Sequence, residues 1–245
     1  MDFGPWTVDY INHIHKLKAK IMKNTILIIL FCLLLKPFTA QRVVEKHMSF
    51  DQKESVTMDI QIADSIVLHT WDKNEVYVKA LINVNDNKDN DLYQVEFDES
   101  SVILKMFAKF EDKIHRHNSL ESNITWDVYL PKGVACKVKT INGNISVYGQ
   151  SGVLNLNTIS GNIIVLSKPT SIEAHSISGF VDLTVPSDKK ANLDFKTISG
   201  TIYTNHELTT PVKKKPASTK VFDQMNGGGD KIDLSTISGN IYFRK

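Results

Sequence analysis

Residues 158–163 read Thr-Ile-Ser-Gly-Asn-Ile, and close variants of this hexapeptide occur four more times in the second half of the chain. The five copies start at Thr140, Thr158, Ser176, Thr197 and Thr236. The glycines at their fourth position are Gly143, Gly161, Gly179, Gly200 and Gly239. Successive glycines are 18, 18, 21 and 39 residues apart. A period close to twenty residues indicates a solenoid-like array in which each repeat stacks on its neighbours.

The residues that precede each hexapeptide alternate between apolar and polar. Seven positions before the glycine stand Cys136, Leu154, Ile172, Leu193 and Ile232, and five positions before it stand Val138, Leu156, Ala174, Phe195 and Leu234. Polar residues occupy the positions between them, which is the period-two pattern of a β-strand. A second alternating segment begins after the glycine. Each copy therefore predicts a strand, a corner and a second strand, with the glycine permitting positive φ at the corner.

We therefore predict an all-β fold, a parallel β-solenoid or right-handed β-helix-like array with equivalent side chains ~4.8 Å apart in adjacent coils. An antiparallel hairpin array or a sandwich is the alternative, because Asn142-Gly143 also suits a two-residue hairpin turn. The predicted repeat region is 131–245, interrupted by a long exposed loop at 205–230. Residues 41–130 also carry strand patterns and are predicted to form an irregular β region that caps the open end of the array.

The start of the chain has the features of an export signal. Residues 22–40 combine Lys23, ten apolar residues at 26–35, and Ala40, after which we expect cleavage. The apolar run is shorter than the ~18 residues that a membrane helix needs, so no stable membrane span is expected after cleavage. Residues 1–21 form a polar leader, and the simplest account is that translation starts at Met22. The mature protein is thus predicted to be exported, to the periplasm or to the cell surface.

Composition excludes several classes of function. The chain has 245 residues and a formal charge of +2, but the first 40 residues hold five lysines and two aspartates, so the remainder carries about −1. A nucleic-acid partner is not expected without a basic surface. The sequence has no catalytic triad, phosphate loop or cofactor fingerprint, so no cofactor is predicted. No metal site is predicted either, because His115 and His117 lack a third ligand at suitable spacing.

Two sets of outward-facing residues are candidate sites. Glu173 and Asp194 occupy equivalent positions in successive copies, with Asp233 as a third member, and stacked carboxylates ~5 Å apart would suit a polysaccharide-active enzyme. The same positions are also what a solvated face would carry. Phe180, Tyr203 and Tyr242 form an aromatic stripe that would suit a glycan or protein partner. Cys136 lies in an apolar column and is predicted to be a buried thiol.

Further motifs connect the chain to a known group of proteins. Ser65-Ile-Val-Leu-His-Thr-Trp71-Asp-Lys-Asn-Glu-Val-Tyr-Val78 is followed by Asp127-Val-Tyr-Leu-Pro131 and by the glycine repeats. Together these resemble exported bacterial β-strand repeat proteins that are grouped as adhesins, the head-GIN-like group, over about residues 55–245. The resemblance implies a right-handed β-helix-like fold in the cell envelope, but it brings no catalytic or binding residues.

The predicted function is therefore a non-enzymatic binding or scaffolding module of the cell envelope, with a protein or a glycan as its partner. The alternatives are the polysaccharide-active β-helix enzyme and an accessory protein of envelope stress or signalling.

Overall fold

The computed structural model describes residues 22–23, 41–111, 120–149, 152–215 and 218–245. Contacts divide the chain into two units, Met1–Ala40 and Gln41–Lys245. The predicted leader and nearly all of the predicted signal segment lie outside the described residues, as do His115 and His117.

The described part of the second unit consists of eighteen strands and one short 3₁₀ helix at Asn90–Leu92. The strands are β1 (Arg42–Ser49), β2 (Ser55–Ile60), β3 (Ile62–Trp71), β4 (Glu75–Val84), β5 (Tyr93–Asp98), β6 (Ile103–Phe110), β7 (Ser122–Pro131), β8 (Ala135–Tyr148), β9 (Val153–Ser160), β10 (Ile163–Leu166), β11 (Ser171–Ser178), β12 (Val181–Thr184), β13 (Ala191–Ser199), β14 (Ile202–Thr204), β15 (Lys213–Lys215), β16 (Ser218–Met225), β17 (Asp230–Ser238) and β18 (Ile241–Arg244). The all-β prediction is confirmed.

Pairing arranges the strands in two layers that share β8. The first layer has the order β5-β6-β2-β8-β9-β11-β17-β13-β16-β15. The second layer has the order β1-β4-β7-β3-β8-β10-β12-β18-β14. All strands of the five repeat copies pair in parallel with one another, as the solenoid prediction requires. The antiparallel hairpin array is therefore wrong for the repeats.

The spatial order of the coils differs from the order of the copies in the chain. The fifth copy, β17 and β18, lies between the third copy (β11 and β12) and the fourth (β13 and β14). The expectation that copies stack in chain order is wrong at this point. The reason is that β16 occupies the far edge of β13. Strand β17 therefore lies between β11 and β13 and pairs with the facing edge of each.

The predicted exposed loop at 205–230 is also wrong, because this segment contains a hairpin. Strands β15 and β16 pair antiparallel with each other, and β16 pairs antiparallel with β13. Val221 and Met225 are buried, so the hairpin has its own period-two pattern within a lysine- and glycine-rich sequence. The hairpin covers a sheet edge that would otherwise expose unpaired backbone groups.

The N-terminal region continues the array and then closes it. Strands β2 and β3 form a further coil that pairs in parallel with the two halves of β8. Strands β6 and β7 pair in parallel on the far side of β2 and β3, and β5, β4 and β1 finish the layers in antiparallel pairs. This arrangement combines early coils with a sheet-like cap.

One continuous apolar core fills the space between the layers. The apolar columns are buried as predicted, and Leu154 and Ile172 are fully enclosed. Phe195 of the first layer contacts Phe243 of the second, with ring centroids 5.1 Å apart. Cys136 is buried in the same column, and this burial raises the pKa of its thiol to about 12. The thiol is therefore protonated and unreactive at neutral pH.

The corners are held by a ladder of hydroxyl groups and by the close approach of glycine backbones. The Ser176 hydroxyl donates to the Gly161 carbonyl of the adjacent coil at 2.9 Å, and Thr158, Thr236 and Thr197 make the equivalent bond. A Cβ added at Gly179 would lie 2.0 Å from the Gly161 carbonyl oxygen. The predicted role of positive φ applies at Gly161 and Gly179, with φ of 159° and 151°, but not at Gly143, Gly200 or Gly239. Close contact between coils is the requirement that all five glycines share.

Candidate functional site

The acidic residues form a row on the outer face of the first layer. Asp233 pairs with Glu173 on one side and with Asp194 on the other. Glu173 and Asp194 are therefore two strands apart, and the expectation that they are direct neighbours is wrong because the fifth copy separates them. The carboxylates that do adjoin are those of Asp233 with each of the other two.

Neighbouring polar groups compensate one end of the acidic row. The Lys231 Nζ lies 2.7 Å from Glu173 Oε1 and 3.1 Å from Asp233 Oδ2. Asn155 Nδ2 donates to Glu173 Oε2 at 3.0 Å. The hydrogen bond from Lys231 lowers the pKa of Glu173, whereas burial and then the charge of Asp233 raise the pKa of Asp194. Salt bridges of this kind are ordinary features of a solvated face and add little to stability.

The aromatic stripe is brought together as the parity of the repeats predicts. The rings of Tyr203 and Tyr242 stack with centroids 5.2 Å apart and planes 9° apart, and Phe180 meets Tyr242 edge-on at 5.9 Å. The Arg244 guanidinium lies 5.5 Å from the centre of the Tyr242 ring. Tyr203 is half exposed. The three rings thus form a cluster on the outer face of the second layer, next to a cation.

A larger aromatic row, which the sequence analysis missed, crosses the outer face of the second layer in its N-terminal half. Consecutive centroids are 4.6 Å apart for His47 and Tyr77, 5.8 Å for Tyr77 and Tyr129, 4.7 Å for Tyr129 and His69, and 5.9 Å for His69 and Tyr148. These five residues come from five different strands that are adjacent only in space. The sequence alternation places each ring on an outward position of its strand. Only the pairing of the strands shows that the five rings are neighbours.

Trp71 and charged groups border this aromatic row. The Trp71 ring centroid is 5.4 Å from that of Tyr129, and the Lys73 ammonium lies 4.6 Å from the Trp71 ring. A shallow pocket of about 240 Å³ beside it is lined by Trp71, Asp72, Lys73, Asn74, Pro131 and Lys132. The pocket supplies hydrogen-bond donors and acceptors next to aromatic surface, which is the combination that fixes the orientation of polar ligands.

A third outer feature is an isoleucine ladder at the corner of the first layer. The second residue of every hexapeptide is isoleucine, and all five side chains are close to half exposed. Four of them, Ile141, Ile159, Ile177 and Ile237, line a groove of about 450 Å³, which Lys139, Asn157 and His175 also line. The alternation argument gave no role to these five residues, because they follow the last inward position of the first strand.

Neither a metal site nor a membrane helix is found in the described part of the chain. No group of three or more histidine, cysteine, aspartate or glutamate side chains there could hold a metal ion. No helix among the described residues has both the length and the apolar character needed to cross a bilayer.

Comparisons with known proteins identify the repeat region. Residues 127–244 match the model of a family described as Toastrack DUF4097. Among solved structures, the chain is similar to a "putative cell adhesion protein" from Clostridium sporogenes, with 9% identity, a TM-score of 0.60, and coverage of 84% of this chain and 99% of that one. This similarity supports a shared fold, and no curated protein matches the chain.

Two further solved structures are similar to the chain. They are a "putative adhesin" from Bacteroides fragilis, with 9% identity, a TM-score of 0.34 and coverage of 84% and 99%, and another from Parabacteroides distasonis, with 12% identity, a TM-score of 0.31 and coverage of 66% and 69%. The resemblance that the repeats indicated is confirmed by the family model that residues 127–244 match.

Proposed function

We propose that this chain, whose residues 127–244 form a Toastrack DUF4097 domain, is a non-enzymatic binding module of the cell envelope. In this proposal the outer face of the second layer holds a protein or glycan partner. The observation that carries the proposal is the concentration of partly exposed aromatic rings on that face, in one row of five and one cluster of three.

The arrangement of the rings supports an extended partner. The row from His47 to Tyr148 spans five adjacent strands, so it is about 19 Å long at ~4.8 Å per strand. Aromatic side chains provide large contact areas at low entropic cost, and their polar tips bind hydroxyl and amide groups. Lys73 and Arg244 add a cation to each aromatic group. A rigid repeat surface of this kind suits an extended ligand.

Export to the envelope is the second element of the proposal. It rests on the signal features of residues 22–40 and on the designation of the similar solved structures as adhesion proteins. Expression of the full chain in a bacterial host, followed by fractionation and N-terminal sequencing, tests it. We expect a product in the periplasm, at the surface or in the medium that begins near Gln41. A product that stays in the cytoplasm with its leader intact would contradict export.

The acidic row gives weaker support to an enzyme. Glu173 is engaged by Lys231 and Asn155, so it has little freedom to act as a nucleophile. The raised pKa of Asp194 is the one feature that favours acid catalysis. Glycan turnover that disappears in both Glu173→Gln and Asp194→Asn, with folding intact, would support the enzyme and contradict a non-enzymatic role.

Binding itself is tested with matched aromatic variants. Purified protein is applied to an array of envelope glycans and to intact cells, and Tyr77→Ala/Tyr129→Ala is compared with Tyr203→Ala/Tyr242→Ala. We expect at least one pair to lose about tenfold or more in affinity. Phe222→Ala is the control, because Phe222 is an exposed ring on the first layer. If the control weakens binding as much as both pairs do, the partner does not use the second layer.

A further inference from the structure

The isoleucine ladder is a continuous apolar strip along the corner of the first layer. In spatial order it consists of Ile141, Ile159, Ile177, Ile237 and Ile198, because the residues on either side of each are paired in register. Their exposed fractions are nearly identical, from 45% to 48%. With ~4.8 Å between strands, the strip is about 19 Å long. Five equally exposed isoleucines in line form a patch of the kind that marks interaction surfaces.

The ladder has defined ends. At one end Gln61 takes the equivalent position, and its carbonyl accepts a hydrogen bond from the Ile141 amide at 2.9 Å. At the other end Ser218 follows Ile198, because Thr197 pairs with Thr219 in the antiparallel β16. The apolar strip is therefore limited to the five repeat coils, and polar residues begin on both sides.

The period of the ladder restricts what can bind along its whole length. An extended strand presents side chains on one face every ~6.6–6.8 Å, which is out of step with ~4.8 Å after one residue. An α-helix repeats every ~5.4 Å and also loses register along the strip. A second copy of the same ladder has the same period, so each rung meets a rung along the full contact. Interdigitation of this kind is seen between the stacked sheets of cross-β structures.

We propose that two copies of this chain associate through their isoleucine ladders to form a symmetric dimer. The contact is isologous, so the same strip is used by both copies. Ile177, the central rung, lies closest to the two-fold axis and meets its own counterpart whichever way the two ladders run. The contact is small compared with the ~800 Å² per partner of a standard interface, so we expect a weak dimer whose population depends on protein concentration. This surface is separate from the aromatic face of the proposed function.

Sedimentation velocity over a concentration series tests the proposal. We expect the wild-type protein to shift from monomer to dimer between about 5 and 300 µM, and Ile177→Glu to remain a monomer. Leu166→Glu is the matched control, since Leu166 is 48% exposed but belongs to β10 in the second layer. A thermal melt monitored by circular dichroism verifies that each variant is folded. Ile177→Thr, a milder change, is expected to weaken the dimer about tenfold.

Cysteine cross-linking supplies an independent readout. Ile177→Cys is expected to give a disulfide-linked dimer under mild oxidation, whereas Leu166→Cys and the wild type are not. The native Cys136 is buried and does not compete. Three results would each overturn the proposal: a wild-type protein that is monomeric at 300 µM, equal weakening by Ile177→Glu and Leu166→Glu, or no linked dimer from Ile177→Cys. If the ladder instead binds an acyl chain, an added detergent will bind to the monomer and no dimer will form at any protein concentration. That result would also overturn the proposal.

Discussion

Replacement of Gly179 by alanine tests whether close contact between coils is what the repeated glycine provides. The new Cβ would lie 2.0 Å from the Gly161 carbonyl oxygen and 2.6 Å from its carbon. Both are backbone atoms, so no side chain can rotate away. To restore a contact of about 3.2 Å, the two coils must separate locally by more than 1 Å.

The cost follows from the hydrogen bonds that cross this contact. The Ser176 hydroxyl to Gly161 carbonyl bond is 2.9 Å long, and the Gly161 amide to Ser178 carbonyl bond is 3.1 Å long. A separation of about 1 Å lengthens both beyond the limit of a hydrogen bond and costs about 2–4 kcal/mol in all. The unfavourable φ of 151° for alanine adds about 1 kcal/mol. We expect a loss of about 3–5 kcal/mol in the free energy of unfolding.

Urea unfolding monitored by circular dichroism measures this loss, and a thermal melt should show a decrease of about 10 °C. Gly133→Ala is the matched control, because Gly133 has φ of 75° and no neighbouring atom within 4 Å of the added Cβ. It carries the conformational cost alone, about 1–2 kcal/mol. Equal destabilisation by the two substitutions would refute the close-contact argument.

Four further predictions follow from other contacts. Lys189 is buried, and its ammonium donates to the Pro169 carbonyl at 2.6 Å and to Asp230 at 2.5 Å, so Lys189→Met should cost about 2–3 kcal/mol in urea unfolding, with Lys190→Met near neutral. Cys136 should resist iodoacetamide at pH 8 in the native protein and react in urea, because burial raises its pKa to about 12; fast native labelling would contradict its place in the core. Lys231 lowers the pKa of Glu173, so the ion pair stabilises the fold at pH values above the Glu173 pKa of the unfolded chain, and this stabilisation is lost as the pH falls through the Glu173 pKa of the folded chain. NMR titration of Lys231→Met should show a higher Glu173 pKa than in the wild type. An unchanged value would contradict the ion pair. Cysteines at His175 and Ser235 should form a disulfide, since these residues pair on adjacent strands, whereas cysteines at His175 and Lys196 should not, because β17 separates them; the reverse result would restore chain order to the coils.

The strands and the core were predictable because their signal is local. Leu154 and Leu156 alternate with polar residues within one strand, and an inward position in a stacked repeat must be apolar in every copy. The same argument placed Cys136 in the core. Parallel pairing also followed, because only stacking in register puts five identical corners in contact.

The order of the coils could not be predicted from these patterns. Every copy presents the same backbone edges and the same apolar columns, so β17 fits against β11 and β13 as well as it would at the end of the array. The insertion decides the matter by covering the outer edge of β13 with β16. Its strand signal was obscured because Asp223 takes the inward position between Val221 and Met225 while Phe222 faces outward, and because lysines precede the strand and glycines follow it.

The aromatic row was missed for a related reason. Tyr77 and Tyr129 are neighbours because β4 and β7 pair antiparallel, and His69 joins them because β3 pairs in parallel with β7. None of these registers is fixed by the glycine repeat. Outward rings in a strand carry no local sign of which other rings they will meet, so the row becomes visible only when the pairing is known.

The return of the fifth copy between the third and the fourth also determines what both candidate surfaces present. It places Tyr242 between Phe180 and Tyr203, so that one ring contacts both of the others. It places Asp233 and Lys231 beside Glu173, which neutralises part of the acidic row that would otherwise stack Glu173 against Asp194. The same strand therefore completes an aromatic contact surface on the second layer and engages Glu173 in an ion pair on the first, while burial and then the charge of its Asp233 raise the pKa of Asp194. Glycoside hydrolysis needs two available carboxyl groups, and Glu173 is held by Lys231, so the arrangement favours binding.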